Sequence, residues 1–272
     1  EVFESIEHPR LRKFAFEVNQ GMVPVRNKAV ELANTAFSLY LDGDDLIPPN
    51  SVAALNRAVE AHPSAAYVFG DVFYYLSGPL KTNIRAVSSA ADSFQTGAGG
   101  WGLYNVDVWR RLGGFVAISP RGGYGYDTDF KAAVAEAGLM MVHCGETYYY
   151  YRVGRVGNMS SGMGRIALDV ALSIAQRHPK LFSDKRAKRA FLTPFLLVTV
   201  HSNTTAGARG EAMRYTAKGF RELGALASAP WSCLAAVVLG RTVVSRLTPF
   251  LGRLWYARKR WLNQRSSKRG AA

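Results

Sequence analysis

"VRNKAVELANTAFSLYLDGDDLIPPN" (Val25–Asn50) carries two patterns in succession. Val30, Ala33 and Ala36 recur at the spacing of one helical face, which predicts a helix, and "FSLYL" (Phe37–Leu41) is short, aromatic-rich and bounded by breakers, which predicts a buried strand. Three carboxylates, Asp42, Asp44 and Asp45, follow at once, and Pro48 and Pro49 close the segment. The acids therefore stand at the carboxyl end of a strand, where open α/β sheets hold ligands. Their mutual repulsion is relieved by a cation, and a hard divalent ion such as Mg²⁺ or Mn²⁺ bridges one or two carboxylates to substrate phosphates. A solvated turn with helix-capping aspartates is the alternative.

The same alternation continues outward. Upstream, "RKFAFEV" predicts a short strand over residues 8–16, closed by the turn-forming "NQG" at Asn19–Gly21. Downstream, Asn50 is placed to cap a helix "SVAALNRAVEAH" that ends at Pro63, and "AAYVFGDVFYYL" predicts a second strand. A glycine-rich run before Trp101 leads to a short helix around Val106–Leu112 with a Gly-Gly stop. "YGYDTDFKAAVAEAG" predicts a helix entered through acidic residues, and "MMVHCGETYYYYRV" is extended, with His143 and the four tyrosines 148–151 as strand residues. Strands alternating with helices predict an α/β layered fold. From about Gly164 only helices are expected; in "RGEAMRYTAKGFREL" the apolar face is Met213, Ala217, Phe220 and Leu223.

Composition adds bounds. With 272 residues and 48% hydrophobic content the chain holds a real core. Its net charge of +14 is uneven: residues 1–159 carry 14 Lys+Arg against 16 Asp+Glu, and residues 160–272 carry 20 against 4. Cys144 and Cys233 match neither a zinc spacing nor a disulfide framework, which points to a reducing compartment. The weakly charged stretch Leu223–Gly240 is interrupted by Pro230 and several small residues, so no membrane-spanning helix is expected.

Two metal-loop readings fail or weaken on the letters. An EF-hand would need glycine where Ile47 stands and glutamate where Ala53 stands. An aspartyl-phosphate phosphatase, with Asp42 as nucleophile and Asp44 as its acid-base partner, is similar to strand-Asp-x-Asp-x-Thr, and Leu46 occupies the threonine position. "NQG…VRNKAVELANTAFSLYLDGDD…P" resembles the central segment of the family 2 nucleotide-sugar glycosyltransferases of the A-type fold. "WRRLGGF", "GYDTDFKAAVAEAG" and "YYRVGRVGNMSS" are similar to that family's later blocks in the same order, so the likeness spans residues 8–162.

The resemblance implies an A-type (Rossmann-like) α/β mixed sheet lacking its first strands, with a catalytic core over residues 1–162 and a basic helical extension over residues 163–272. It implies that Asp44 binds the metal on the donor diphosphate directly and that Asp42 lies near the ribose or a metal-bound water, while Asp45 caps the turn. It puts the general base for the acceptor hydroxyl at Asp127, with Tyr126 standing where the family has glutamate, and sets Arg26 and Asn27 beside the nucleotide. Family members often carry a histidine two positions after a Tyr-Arg pair; here Tyr151-Arg152 is followed by Val153 and Gly154, leaving Arg152 and Arg155 as phosphate contacts. The family's opening strands would precede Glu1, so the chain resembles a fragment, with activity expected of a longer parent.

Gly240–Gly270 has nine Lys+Arg and no acid, interleaved with Leu247, Phe250, Leu254, Trp255 and Trp261. Such a mixture suits an anionic bilayer surface better than nucleic acid, the rival anionic partner. The expectation is an inverting, metal-dependent transferase at the inner face of the plasma membrane. It would move a sugar, from a UDP-sugar by family frequency, to a glycan or lipid-linked acceptor. The phosphatase and a non-catalytic membrane or nucleic-acid adaptor stay open as alternatives.

Overall fold

The computed structural model describes residues 5–76, 84–85, 101–119, 123–153 and 162–239. Arg155, the glycine-rich run Thr96–Gly100 and the basic tail from Gly240 lie outside the described residues.

The first helix, α1 (Met22–Glu31), opens after Gly21, whose φ of 81° suits glycine and whose N–H is held by Asn19 Oδ1 at 2.8 Å. It starts three residues before the pattern that predicted it. Strand β1 (Phe37–Leu39) follows, then α2 (Ser51–Ala61), β2 (Tyr67–Leu76), β3 (Ile84–Arg85), β4 (Gly102–Asn105) and α3 (Val106–Arg111). Helix α4 (Tyr126–Glu136) and the long strand β5 (Met141–Val153) complete the α/β part. Asn50 precedes α2 without a side-chain cap, whereas Asn105 caps α3 by accepting from the N–H groups of Asp107 and Val108 at 3.1 and 3.0 Å.

The five strands form one mixed sheet with β2 at its centre. On one side β2 pairs antiparallel with β4 and, further along, with β3; on the other it pairs parallel with β5. Strand β1 lies outside β4, antiparallel. Tyr67, Val68 and Phe69 are fully buried in succession, so β2 is covered on both faces, as its unbroken apolar run requires. Only glycine lets β4 lie where it does, because a Cβ at Gly102 would come within 2.3 Å of the Val68 carbonyl oxygen. A register shift between Phe69 and Asp71 leaves the rest of β2 to pair with Tyr148–Val153.

Two sequence expectations are corrected. Residues 8–16 form no strand: Phe14 is half exposed and packs edge-on against Phe16 at 5.0 Å, with no neighbouring strand to complete a ladder. Strand β1 has three residues, all half-buried, and is thus shorter and more open than "FSLYL" implied.

After a short 3₁₀ turn (Met163–Ile166) come α5 (Ala167–Arg177), α6 (Lys185–Thr205), α7 (Arg209–Leu223) and α8 (Ser228–Leu239). The buried face of α7 is Ala212, Tyr215, Thr216, Gly219 and Leu223, with Met213 exposed, so the face expected from Met213, Ala217 and Phe220 is wrong by part of a turn. Size misled the pattern: a Cβ at Gly219 would meet Leu196 at 2.5 Å, so α7 docks on α6 through its small residues.

Two apolar cores result. One lies against the sheet, around Tyr67, Phe69, Trp101, Tyr104, Phe115 and Phe130; the other joins α5 to α8 through Leu168, Ile174, Phe191, Leu192 and Tyr215. Helix α4 serves both, giving Phe130 and Val134 to the first core and Ala132 to the second. No helix among the described residues is long and apolar enough to cross a membrane.

Candidate functional site

The acidic loop is pinned to the far end of the sheet. Leu46 and Tyr150 exchange backbone hydrogen bonds, Leu46 N–H to Tyr150 O at 3.2 Å and Tyr150 N–H to Leu46 O at 2.8 Å, and Asp45 Oδ1 accepts from the Arg152 N–H at 2.9 Å. Asp45 is 6% exposed. Burial pushes its carboxyl up to about 6; the Arg152 N–H and Tyr149 oppose the rise, and the charges of Asp42 and Asp44 add to it. Asp45 thus anchors the loop from beneath, and Arg152 reaches the loop through its backbone.

Asp42 and Asp44 have other surroundings. Asp44 is half-buried. Asp42 keeps 39% of its side-chain exposure and accepts from Arg26 Nη2 at 2.5 Å. Arg26, on α1, is itself buried. Its guanidinium lies 3.8 Å from the centroid of the Tyr40 ring and 4.8 Å from that of Tyr126. Burial alone would weaken that cation; the Tyr40 and Asp42 groups outweigh it and raise the Arg26 pKa. Nη2 is bonded, while Nη1 is buried and has no hydrogen-bond partner.

Asn27, next on α1, has both ends of its amide engaged by the backbone of one residue. Its Nδ2 donates to Phe115 O at 2.9 Å and its Oδ1 accepts from Phe115 N–H at 2.9 Å, tying α1 to the loop after α3.

Asp127 sits in the first turn of α4 with 18% side-chain exposure. Lys131, one turn on and fully buried, brings its Nζ to 3.9 Å from Asp127 Oδ2. Burial lowers the Lys131 pKa, and Asp127 partly restores it. Helix α4 and the acidic loop meet at Tyr40. Burial raises the Tyr40 phenol, Arg26 works against the rise, and the negative charges of Asp127 and Asp42 both add to it. The Tyr126 hydroxyl donates to the Tyr40 hydroxyl at 3.1 Å, which in turn lies 3.1 Å from that of Tyr104. Arg26 of α1, with Asp42 of the acidic loop bound to it, and Tyr126 of α4 thereby converge on Tyr40.

Tyr40 and Lys131 escaped the sequence reading. A tyrosine at a strand end looks like any strand residue, and a lysine within a helix reads as solvated; only burial singles them out. His143, expected as a satisfied strand histidine, has Nε2 2.9 Å from Asp71 Oδ1 and is partly buried.

Carboxylate oxygens are hard donors suited to Mg²⁺ or Mn²⁺. Among the described residues no group of three or more His, Cys, Asp or Glu side chains is gathered as a metal cage. Asp42 and Asp44, two positions apart in the acidic loop, are carboxylates of that donor type.

Residues 1–108 match the family model described as Glycosyl transferase family 2. That match supports a family 2 glycosyltransferase domain in the N-terminal part of the chain. Its matched span holds Arg26, Asn27, Asp42 and Asp44, while Asp127 and Arg152 lie beyond it. The mixed sheet with added helices is consistent with the glycosyltransferase A-type fold. Across 65 residues the chain is 34% identical to "Uncharacterized protein y4gI" of Sinorhizobium fredii (strain NBRC 101917 / NGR234). The aligned stretch covers 24% of this chain and 7% of that relative's length.

Proposed function

We propose that the protein is an inverting glycosyltransferase that moves a sugar from a nucleotide-sugar donor, a UDP-sugar first among candidates, to an acceptor hydroxyl of a glycan or lipid-linked sugar. Residues 1–162 form its catalytic core and residues 163–272 a basic helical extension. The observation that carries this reading is the convergence on Tyr40: the donor-side pair Arg26–Asp42 and the acidic first turn of α4 act on the same phenol.

In this reading Asp44 and Asp42 hold Mg²⁺ or Mn²⁺ against the donor diphosphate. When bound, that ion supplies neutralisation of the charge that grows on the leaving diphosphate. Arg26 adds a guanidinium on the same side. Arg152, whose N–H orders the acidic loop, and Arg155 serve as further phosphate contacts. Asn27 acts at a distance, by fixing the loop that begins at Phe115. Asp127 takes the proton of the acceptor hydroxyl as it attacks, from the face opposite the leaving group. Lys131 lies buried one turn on, with its Nζ 3.9 Å from Asp127 Oδ2.

The extension holds the enzyme on an anionic membrane surface, at the cytoplasmic inner face. In support, Leu226, Trp231 and Val238 are exposed on and just before α8, immediately ahead of the cationic tail. Each cation near such a surface contributes about 1 kcal/mol.

A donor-hydrolysis screen across UDP-, GDP-, TDP- and CMP-sugars, with Mg²⁺ and with EDTA, tests the assignment. One donor should turn over with metal. Asp44→Ala should abolish metal-dependent donor binding, and Asp127→Asn should leave donor binding intact and remove transfer. No turnover of any donor, or full transfer by Asp127→Asn, contradicts it.

A further inference from the structure

Tyr126 has a second use beyond filling the core. It stands in the first turn of α4, one residue before Asp127, yet its ring faces a guanidinium that belongs to α1. Tyr40 covers the same guanidinium at 3.8 Å, and the two phenols are tied by the 3.1 Å bond from the Tyr126 hydroxyl to that of Tyr40. Arg26 is thus a planar cation flanked by two aromatic rings whose centroids lie 6.5 Å apart at a tilt of 54°, with Asp42 fixing Nη2. A ring face attracts the cation without accepting a hydrogen bond in the plane of the fork. That difference explains the bonding state of Arg26: Nη2 is satisfied, and Nη1 is buried without a partner.

Unpaired buried donors are costly and uncommon in folded proteins. A carboxylate at position 126, the residue type that the family resemblance puts there, could accept from the fork and satisfy it internally. Tyrosine leaves the donor unmet while holding the guanidinium in place. The chemical complement of an unmet guanidinium N–H beside a metal-binding carboxylate is an anionic oxygen.

We propose that Tyr126 is a positioning residue of the donor site: with Tyr40 it clamps Arg26 so that Nη1 is kept for an anionic oxygen of the donor's nucleoside diphosphate. This rests on the glycosyltransferase reading and adds to it a link between the helix of the base and the donor. Tyr126 itself touches no reacting atom. Its loss is therefore expected in donor affinity, with acceptor KM unchanged.

The test is calorimetric titration of the full chain with UDP, GDP, CDP and TDP in Mg²⁺, followed by donor and acceptor KM, for Tyr126→Phe, Tyr126→Leu and Tyr126→Glu. Tyr126→Phe keeps the ring face and should bind within about threefold of the unaltered protein. Tyr126→Leu keeps bulk without the quadrupole and should bind about tenfold more weakly. Tyr126→Glu should also bind about tenfold more weakly, because Nη1 is then satisfied inside the protein. Should Tyr126→Leu fail to melt cooperatively, the contrast between Tyr126→Glu and Tyr126→Phe decides alone. Diphosphate affinity unchanged in Tyr126→Glu, equal weakening in Tyr126→Phe, or a fall in kcat at constant donor KM each overturns the clamp. Absence of binding by the unaltered protein to all four diphosphates removes the donor reading itself, and is seen before any variant is made.

Discussion

His178 is the sharpest place to perturb the junction between the two cores. It follows α5 directly and is buried, with Nε2 3.1 Å from Asp129 Oδ1 and Nδ1 3.2 Å from Glu136 Oε2, so both ring nitrogens face carboxylates of α4. Burial disfavours its charge, and the two carboxylates outweigh burial, so its pKa is raised. Removing the ring as His178→Ala deletes two charge-assisted hydrogen bonds, worth about 1.5–3 kcal/mol each before compensation. Compensation is partial: Asp129 keeps Arg177 Nε at 2.9 Å, and Glu136 keeps the N–H groups of Lys180 and Leu181 at 3.0 and 3.3 Å. We therefore expect a loss of about 3 kcal/mol at pH 6, read as a fall of about 6–12 °C in melting temperature. A group whose folded pKa is raised contributes stability that is fully present below its unfolded value, about 6.5, and is lost as pH rises through the folded value. Glu136 runs the other way. Its pKa is lowered, against the cost of burial, by His178 and the two N–H groups, so its contribution is lost as pH falls through the lowered value. The difference between His178→Ala and the unaltered protein should thus be widest between about pH 5 and 6.5 and should shrink to about 1 kcal/mol by pH 9. Urea denaturation at pH 6 and pH 9 measures it, and equal losses at both would refute the doubly paired imidazolium.

Gly125→Ala puts a Cβ on a residue with φ of 88° and within 2.4 Å of Val170 Cγ1, so it should cost about 2–4 kcal/mol in denaturation and reduce transfer by shifting the turn that carries Asp127. Asp45→Asn should raise the melting temperature at pH 8 in metal-free buffer and little below about pH 4, because the unfolded carboxyl ionises near its ordinary value while the folded one is pushed up to about 6, so the penalty builds between the two; an equal gain at both pH values refutes this. Deleting residues 241–272 should abolish salt-sensitive binding to anionic liposomes in a flotation assay, with little binding to neutral ones beforehand; equal binding to both kinds, or preference for duplex DNA, removes the membrane assignment.

The central strand, the helices around it and the acidic loop were legible because each rests on local pattern. Tyr67–Phe69 is apolar without a break, α2 runs from a breaker to Pro63, and the acids follow a strand. What failed needed a partner that pattern does not contain. Phe14 and Phe16 have the composition of a strand but no ladder to join, and on α7 close approach selected Gly219 over Met213. The cage around Arg26 and the carboxylates around His178 were out of reach for the same reason: their members stand 14 to 100 positions from Arg26 or His178, and nothing near any one of them announces the others.

Three acids in four positions are affordable here because the fold sends them into three environments. Asp45 turns inward and is held by the Arg152 N–H, Asp42 is neutralised by Arg26, and Asp44 stays half-buried in the loop. Repulsion along the loop is thereby met by a backbone donor on one side and a clamped guanidinium on the other. The balance is uneven: burial pushes the Asp45 carboxyl up to about 6, and the charges of both neighbours add to the rise. A cation at Asp44 would lower that cost in the same step that brings in a diphosphate, so metal and donor should bind with positive coupling, each tighter in the presence of the other. Titrating UDP with and without Mg²⁺, and Mg²⁺ with and without UDP, must return one coupling factor. A factor of one would mean that the acidic loop is satisfied without a cation.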